Sequence, residues 1–235
     1  ATLGANIYTS NASWTSAATT VDNTTLNLTG DRTVGGVLKL QNGSVVAVGL
    51  NTLTTDTYTQ STGTTLSLTA NSAVDHGSVT TTGAASTASG SKIDIAVGGY
   101  IANGQQLSII NGGAGSAYTS PAGYTVTQTG NSHGTYTASA LGNNLVLTAD
   151  RSSSGFSSDA GGNPNAANVG QVLDNMPNAS GDMLNVLNAL DAMSSSEVAT
   201  ALQTMVPDMS SGTAEASRLL AGQGFTTISN RLGGV

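Results

Sequence analysis

Residues 24–32 read Thr-Thr-Leu-Asn-Leu-Thr-Gly-Asp-Arg, residues 44–52 read Ser-Val-Val-Ala-Val-Gly-Leu-Asn-Thr, and residues 64–72 read Thr-Thr-Leu-Ser-Leu-Thr-Ala-Asn-Ser. The apolar pairs Leu26/Leu28, Val46/Val48 and Leu66/Leu68 recur every twenty residues. An Asx position recurs with them, at Asn11, Asp31, Asn51 and Asn71. Leu-x-Leu places both apolar side chains on one face of a strand. A fixed period of about twenty suits one turn of a parallel β-solenoid, in which equivalent strands stack into an apolar ladder. The Asx residue just after each strand can hydrogen-bond the backbone at the corner. An antiparallel sandwich offers similar strand lengths and turn spacing, but it gives no reason to hold one Asx position in phase over four copies.

Outward from these copies the pattern loosens. Residues 143–151, Asn-Asn-Leu-Val-Leu-Thr-Ala-Asp-Arg, repeat the first copy, with Leu145/Leu147 as the apolar pair. Ile93/Ile95 and Leu107/Ile109 fit the same local pattern after an insertion at 83–90. Asn-Gly at 42–43, 103–104 and 111–112 marks further corners. About seven turns fit into residues 1–150, giving a body about 35 Å long at roughly 4.8 Å per strand. The fold expected is mainly β: a right-handed parallel β-helix followed by a small helical segment.

Composition supports this reading and removes other classes. The 235 residues include 34 Thr, 29 Ser, 20 Asn and 30 Gly, and only 8% are charged. Thr and Val favour pleated strands, while Ser, Asn and Gly favour turns. Six Lys+Arg against a net charge of −7 leave too little positive charge to neutralise many phosphates, which argues against nucleic acid. Without cysteine there is no disulfide framework and no thiolate metal site. Apolar runs such as Val45–Val48 fall far short of a helical membrane span, so no membrane insertion by these residues is expected. The sequence opens with neither a basic n-region nor an apolar h-region, so a secreted chain is expected in processed form.

The character of the chain changes near residue 160. Of 34 Thr, 29 lie at or before Thr148, whereas all five Met lie after it. The expected organisation is a β-solenoid over 1–150, a Ser/Gly/Asn linker over 151–165 and a helical segment over 166–235. Val169, Val172, Leu173 and Met176 share one helical face. Ser180 can cap a second helix whose apolar stripe is Met183, Leu184, Leu187, Leu190 and Met193. Ser194 to Glu197 has capping-box spacing and precedes Val198, Leu202 and Met205. A last segment carries Phe225, Ile228 and Leu232 on one face, with Gly222 and Gly224 weakening it midway. Helices this short need a surface to pack on. Met183, Leu187, Leu190, Leu202, Phe225, Ile228 and Leu232 are therefore candidate assembly residues.

A Thr/Asn/Gly-rich β region followed by Asn168-Val-Gly-Gln-Val-Leu-Asp174, by residues 187–202 and by Ser217-Arg-Leu-Leu with Ile228-Ser-Asn-Arg-Leu232 resembles the passenger-to-barrel segment of bacterial autotransporters. Residues 100–112 are similar to strand pairs near the end of such passengers, and the likeness spans roughly residues 93–235. The resemblance implies secretion to the outer surface of a Gram-negative cell. The family's membrane barrel would follow the last helix, yet no alternating lipid-facing strands occur up to Val235. The expectation is a passenger separated from its barrel, or used without it.

Chemistry is sparse. Asp75 and His76 are neighbours and would point to opposite faces of a strand, and His133 stands apart; both histidines are expected in turns or facing solvent. No Gly-x-Ser-x-Gly elbow and no zinc spacing occurs. Asp31, Asp150 and the Asn positions could line a calcium corner, and Trp14 with Tyr8 could stack on a sugar or cap the open end. No catalytic residue, cofactor or metal centre is assigned. Two functional readings follow. The first is a non-enzymatic structural or adhesive surface protein, self-associating into a homo-oligomer or head-to-tail filament and able to contact a glycan or protein on a host or neighbouring cell. The second is a glycan-active hydrolase, which would have to draw on Asp31, Asp94 and His76.

Overall fold

The computed structural model of the chain describes residues 2–4, 7–10, 12–130, 133–206 and 217–223, with residues 226 and 231. The protein is mainly β, with short helices at the C-terminal side and sheets of mostly parallel strands. Asn11 of the expected Asx row, and Phe225, Ile228 and Leu232 of the expected last helix, lie outside the described residues.

The first half of the chain alternates between two sheets. One sheet takes β1 (Thr2–Gly4), β3 (Trp14–Asp22), β5 (Arg32–Gln41), β7 (Thr52–Gln60) and β9 (Ser78–Thr81), all paired parallel. The other takes β2 (Ile7–Ser10), β4 (Thr25–Leu28), β6 (Val45–Gly49), β8 (Thr65–Ala70), β11 (Ser91–Val97) and β13 (Tyr124–Gly130), also parallel. The short β10 (Ala85–Thr87) extends β7's pairing beyond β9. Parallel neighbours cannot be joined by tight hairpins. Here each returns after a visit to the opposite sheet, which is why the sequence period is twenty rather than ten.

Register carries the repeat directly. Leu26 lies opposite Val46, Val46 opposite Leu66, Leu66 opposite Ile93 and Ile93 opposite Val126. In the facing sheet Leu38 lies opposite Tyr58 and Tyr58 opposite Ala85. Because side chains alternate faces along a strand, β8 buries Leu66, Leu68 and Ala70 and turns Thr65, Ser67 and Thr69 outward. The inner faces of both sheets form one continuous core, from Val21 and Leu26 to Leu145 and Ala149.

Past β11 the pattern departs from expectation. Leu107/Ile109 sit in β12 (Gln106–Asn111) and Leu145/Leu147 in β15 (Asn144–Asp150), both in the first sheet and paired antiparallel, with Leu107 opposite Leu147. They do not continue the Leu26–Ile93 stack. β14 (Thr135–Leu141) folds back on β15 as an antiparallel hairpin. Among the described residues six strands, rather than about seven turns, therefore stack in the second sheet, since residues 135–150 are spent on the hairpin.

The stretch 151–165 is not a linker free of apolar burial. Arg151, Phe156 and Ala160 are buried, and helix α1 (Pro164–Asp174) begins inside the range. With α2 (Gly181–Asp191) and α3 (Ser195–Met205) it encloses a second core containing Tyr100, Ala102, Phe156, Leu173, Leu187, Leu190, Val198 and Leu202. Leu187, Leu190 and Leu202 are thus covered within the chain and offer no face to a partner, whereas Met183 remains 42% exposed. Val172, expected on the packed face of α1, is exposed as well.

Candidate functional site

Three features position the surface that could act on something else: the rungs, the corners and a buried ionic node. All twelve residues expected as the apolar ladder are buried: Leu26, Leu28, Val46, Val48, Leu66, Leu68, Ile93, Ile95, Leu107, Ile109, Leu145 and Leu147. The first eight line the second sheet and the last four line the first. Rigid inner faces hold the outward side chains in rows. On the second sheet Ser67, Asp94 and Thr127 lie in register; Thr127 donates to Asp94 Oδ1 at 2.9 Å and Ser67 donates to Oδ2 at 3.3 Å. Asp94 thus cross-links three strands rather than standing as a candidate acid in a groove.

The corner residues bond the backbone or side chains at the strand ends, and Asp31 bridges two successive rungs. Asp31 Oδ1 accepts the Thr52 backbone N–H at 2.8 Å, twenty-one residues on. Asn51 Nδ2 donates to the Val48 carbonyl at 2.9 Å, and Asn71 Nδ2 donates to Asp75 Oδ2 at 2.9 Å. A second phase-locked row lies at the opposite corner. Asn23, Gly43, Gly63 and Gly90 all take positive φ, between 48° and 80°. The hydroxyl residues Thr24, Ser44, Thr64 and Ser91 follow them. Thr64 and Ser91 donate back to the carbonyls of Ser61 and Ala88, each at 2.6 Å. The Thr24 and Ser44 hydroxyls have no partner among the described residues. Sequence reading marked only Asn42-Gly43 here, although the Gly-then-hydroxyl pairs at 43–44, 63–64 and 90–91 were visible.

The ionic node centres on Arg151. Its side chain is 2% exposed. Nε donates to Asp174 Oδ1 at 2.9 Å and Nη2 to Asp191 Oδ1 at 2.6 Å. The guanidinium lies 4.3 Å from the Phe156 ring centroid and 4.9 Å from that of Tyr100. Burial opposes its charge, but the bonds to Asp191 and Asp174 outweigh that and raise its pKa. Asp174 also accepts the backbone N–H groups of Phe156 and Ser157. Burial pushes the Tyr100 hydroxyl up to about 12, and it donates to the Leu173 carbonyl. His133 is buried rather than solvent-facing: Nδ1 lies 2.7 Å from Asp159 and Nε2 2.8 Å from the Met193 carbonyl. These groups tie the end of the β body to α1, to α2 and to the segment that leads into α3.

The remaining candidates are dispersed. His76 Nδ1 contacts the Gly77 carbonyl at 3.0 Å. Trp14 Nε1 donates to Thr19 at 3.1 Å, within its own strand. Asp150 is bonded by Ser152, whose hydroxyl and backbone N–H hold its carboxyl below the usual carboxylate range. Among the described residues no three His, Cys, Asp or Glu are gathered to hold a metal ion, and no helix is long and apolar enough to cross a membrane. No protein family, curated protein or solved structure matches this chain.

Proposed function

We propose that the chain is an extracellular β-solenoid scaffold of the autotransporter-passenger type, working as a structural and adhesive module on a Gram-negative surface. The observation that carries this is the in-register parallel pairing of strands twenty, and once twenty-seven, residues apart in two alternating sheets, with outward rows of hydroxyl and amide side chains. A scaffold of this kind works through repeated surface rather than through one reactive centre. The carboxylates considered for hydrolysis support the reading by their use: Asp31 and Asp94 brace neighbouring rungs.

Self-association belongs to the same proposal. The outermost strands at the two ends, β2 and β13 in one sheet and β1 and β14 in the other, contain no charged residue and no proline. Such edges lack the usual protection against pairing with another chain. End-to-end contact would be heterologous and would extend into a filament. The buried helix stripes move this association to the strand ends, away from Leu187, Leu190 and Leu202. Beads coated with the purified chain test both parts. They are expected to clump with one another and to attach to cell layers, relative to albumin-coated beads; beads that do neither overturn the proposal.

A further inference from the structure

A cleft of about 640 Å³ opens beside the C-terminal ends of β5 and β7 and along β10. Its polar lining includes Gln41, Asn42, Thr59, Thr62, Ser86 and Thr87, and none of the described lining residues is charged. We propose that this cleft binds a neutral oligosaccharide. The inference rests on the adhesive reading above and names the class of ligand it would take.

The argument begins outside the cleft, at Asp22. Gln41 Nε2 donates to Asp22 Oδ2 at 3.0 Å and Asn42 Nδ2 donates to Oδ1 at 2.6 Å. Those two bonds hold the carboxyl below the usual carboxylate range, so it is ionised and accepts only. An acceptor-only partner decides which end of each amide faces it. The NH₂ groups turn to Asp22, and Gln41 Oε1 and Asn42 Oδ1 are left as oriented acceptors. The hydroxyls are ordered too. Ser86 Oγ donates to Thr59 Oγ1 at 3.4 Å, which leaves the Thr59 proton to be donated elsewhere. Thr62 donates its own proton to the Ser89 carbonyl at 2.7 Å and so presents lone pairs.

The lining is therefore a fixed set of neutral acceptors beside a neutral donor. Sugar hydroxyls, which donate and accept at once, match such a set; the lining itself offers no charge to an ionic ligand, and Lys39, in register with Thr59, stands beside it rather than in it. The supporting backbone is rigid. Lys39, Thr59 and Ser86 are in register across three strands, and Asn42 is held in a left-handed turn at φ +54°. Preorganised groups on strands lose little freedom on binding. The volume lies within the range of small-molecule pockets.

Titration calorimetry of the full chain with maltotriose, mannotriose and N-acetylchitotriose tests this, with a trigalacturonate as the charged control. At least one neutral trisaccharide is expected to saturate with Kd of about 1 mM, more tightly than the trigalacturonate. Asn42→Gly keeps the left-handed turn and removes one acceptor. It is expected to weaken binding about fivefold to tenfold, the effect of one neutral hydrogen bond. Asp22→Asn touches no ligand but releases the amide orientation, and is expected to weaken binding similarly while circular dichroism shows the β fold retained. The same sugar carried as a glycolipid on phosphatidylcholine vesicles distinguishes a membrane-displayed glycan, bound better there, from a free polysaccharide, bound equally well in solution. Failure of every neutral sugar to saturate, or wild-type binding by both variants, overturns the cleft assignment. Coated beads that still adhere in that case leave the adhesive reading standing; beads that do not adhere remove both.

Discussion

Single glycines show how closely the rungs approach. At Gly36, φ is +80° and an added Cβ would stand 2.0 Å from the Ser16 carbonyl oxygen, where the β3–β5 register slips between Thr15 and Ala18. Its N–H also donates to Asp56 Oδ2 at 2.8 Å. Gly43 has φ +74° but open space around a Cβ. The two positions separate backbone strain from collision. Gly43→Ala is expected to cost about 1 kcal/mol, the left-handed penalty alone. Gly36→Ala adds overpacking and is expected to cost about 3 kcal/mol. Urea denaturation of both variants checks this, and equal losses would show that the Ser16 contact relaxes freely. Sequence could mark Gly35-Gly36 as a break in a strand pattern. It could not show the opposing carbonyl, which comes from a chain segment twenty residues away.

At the scale of elements, the helices are fastened by charge as well as by apolar burial. Arg151→Met removes the cation and leaves Asp174 and Asp191 buried together. Breaking a buried pair in this way costs about 3–5 kcal/mol. Hydrogen exchange of α1, α2 and α3 is expected to accelerate well before that of β5 and β7; uniform acceleration would instead mean that both cores open as one. Arg151→Lys keeps the charge but loses the planar fork, and is expected to fall between the two. Helix α3 gives a pH prediction. Glu197 accepts from the Ser194 N–H at 2.8 Å and from its hydroxyl at 2.7 Å, which lowers its carboxyl below the usual range. A lowered folded-state pKa contributes stability above the ordinary glutamate value, and that contribution is lost as pH falls through the lowered one. Exchange protection of α3 is therefore expected to drop on acidification, and Glu197→Gln is expected to flatten that response. The capping box was legible because its two partners sit three residues apart. Ser180, placed with the same logic, occupies the N-cap of α2 without a side-chain bond. The Arg151 node was not legible: its members come from four separate segments, and only the rarity of Phe156, one of two Phe, hinted at a buried role.

At the scale of the molecule, the twenty-residue period specified which residues face inward over the three copies at 24–32, 44–52 and 64–72, because there the chain returns to the same sheet each time. It said nothing of direction. Leu-x-Leu in β12 and β15 reads like Leu-x-Leu in β8, yet β12 and β15 run antiparallel in the other sheet. Face alternation is a property of one strand, whereas pairing depends on where the intervening chain travels. The inner residues of β5 and β7, Leu38, Leu40, Leu53 and Tyr58, escaped the repeat. Leu38 and Tyr58 keep the twenty-residue spacing, but Leu40 is answered by the polar Gln60, so no apolar pair recurs; Leu53 lies opposite Arg32, one residue out of phase ahead of the register shift. The same topology fixes what end-to-end association would look like. β13 (Tyr124–Gly130) is the last strand of the second sheet and carries none of the charges or prolines that discourage pairing. With 8% charged residues in the chain, association through such an edge draws on backbone hydrogen bonds and apolar contact rather than on ion pairs. Raising salt from 0.05 to about 0.5 M shortens the screening length severalfold and is expected to leave the sedimentation profile nearly unchanged. Thr129→Lys puts a charge on the outward face of the edge strand and is expected to shift the population toward monomer at low salt, with partial recovery at high salt. An assembly that dissolves with salt in the unaltered chain, or ignores Thr129→Lys, would place the contact somewhere other than the strand ends.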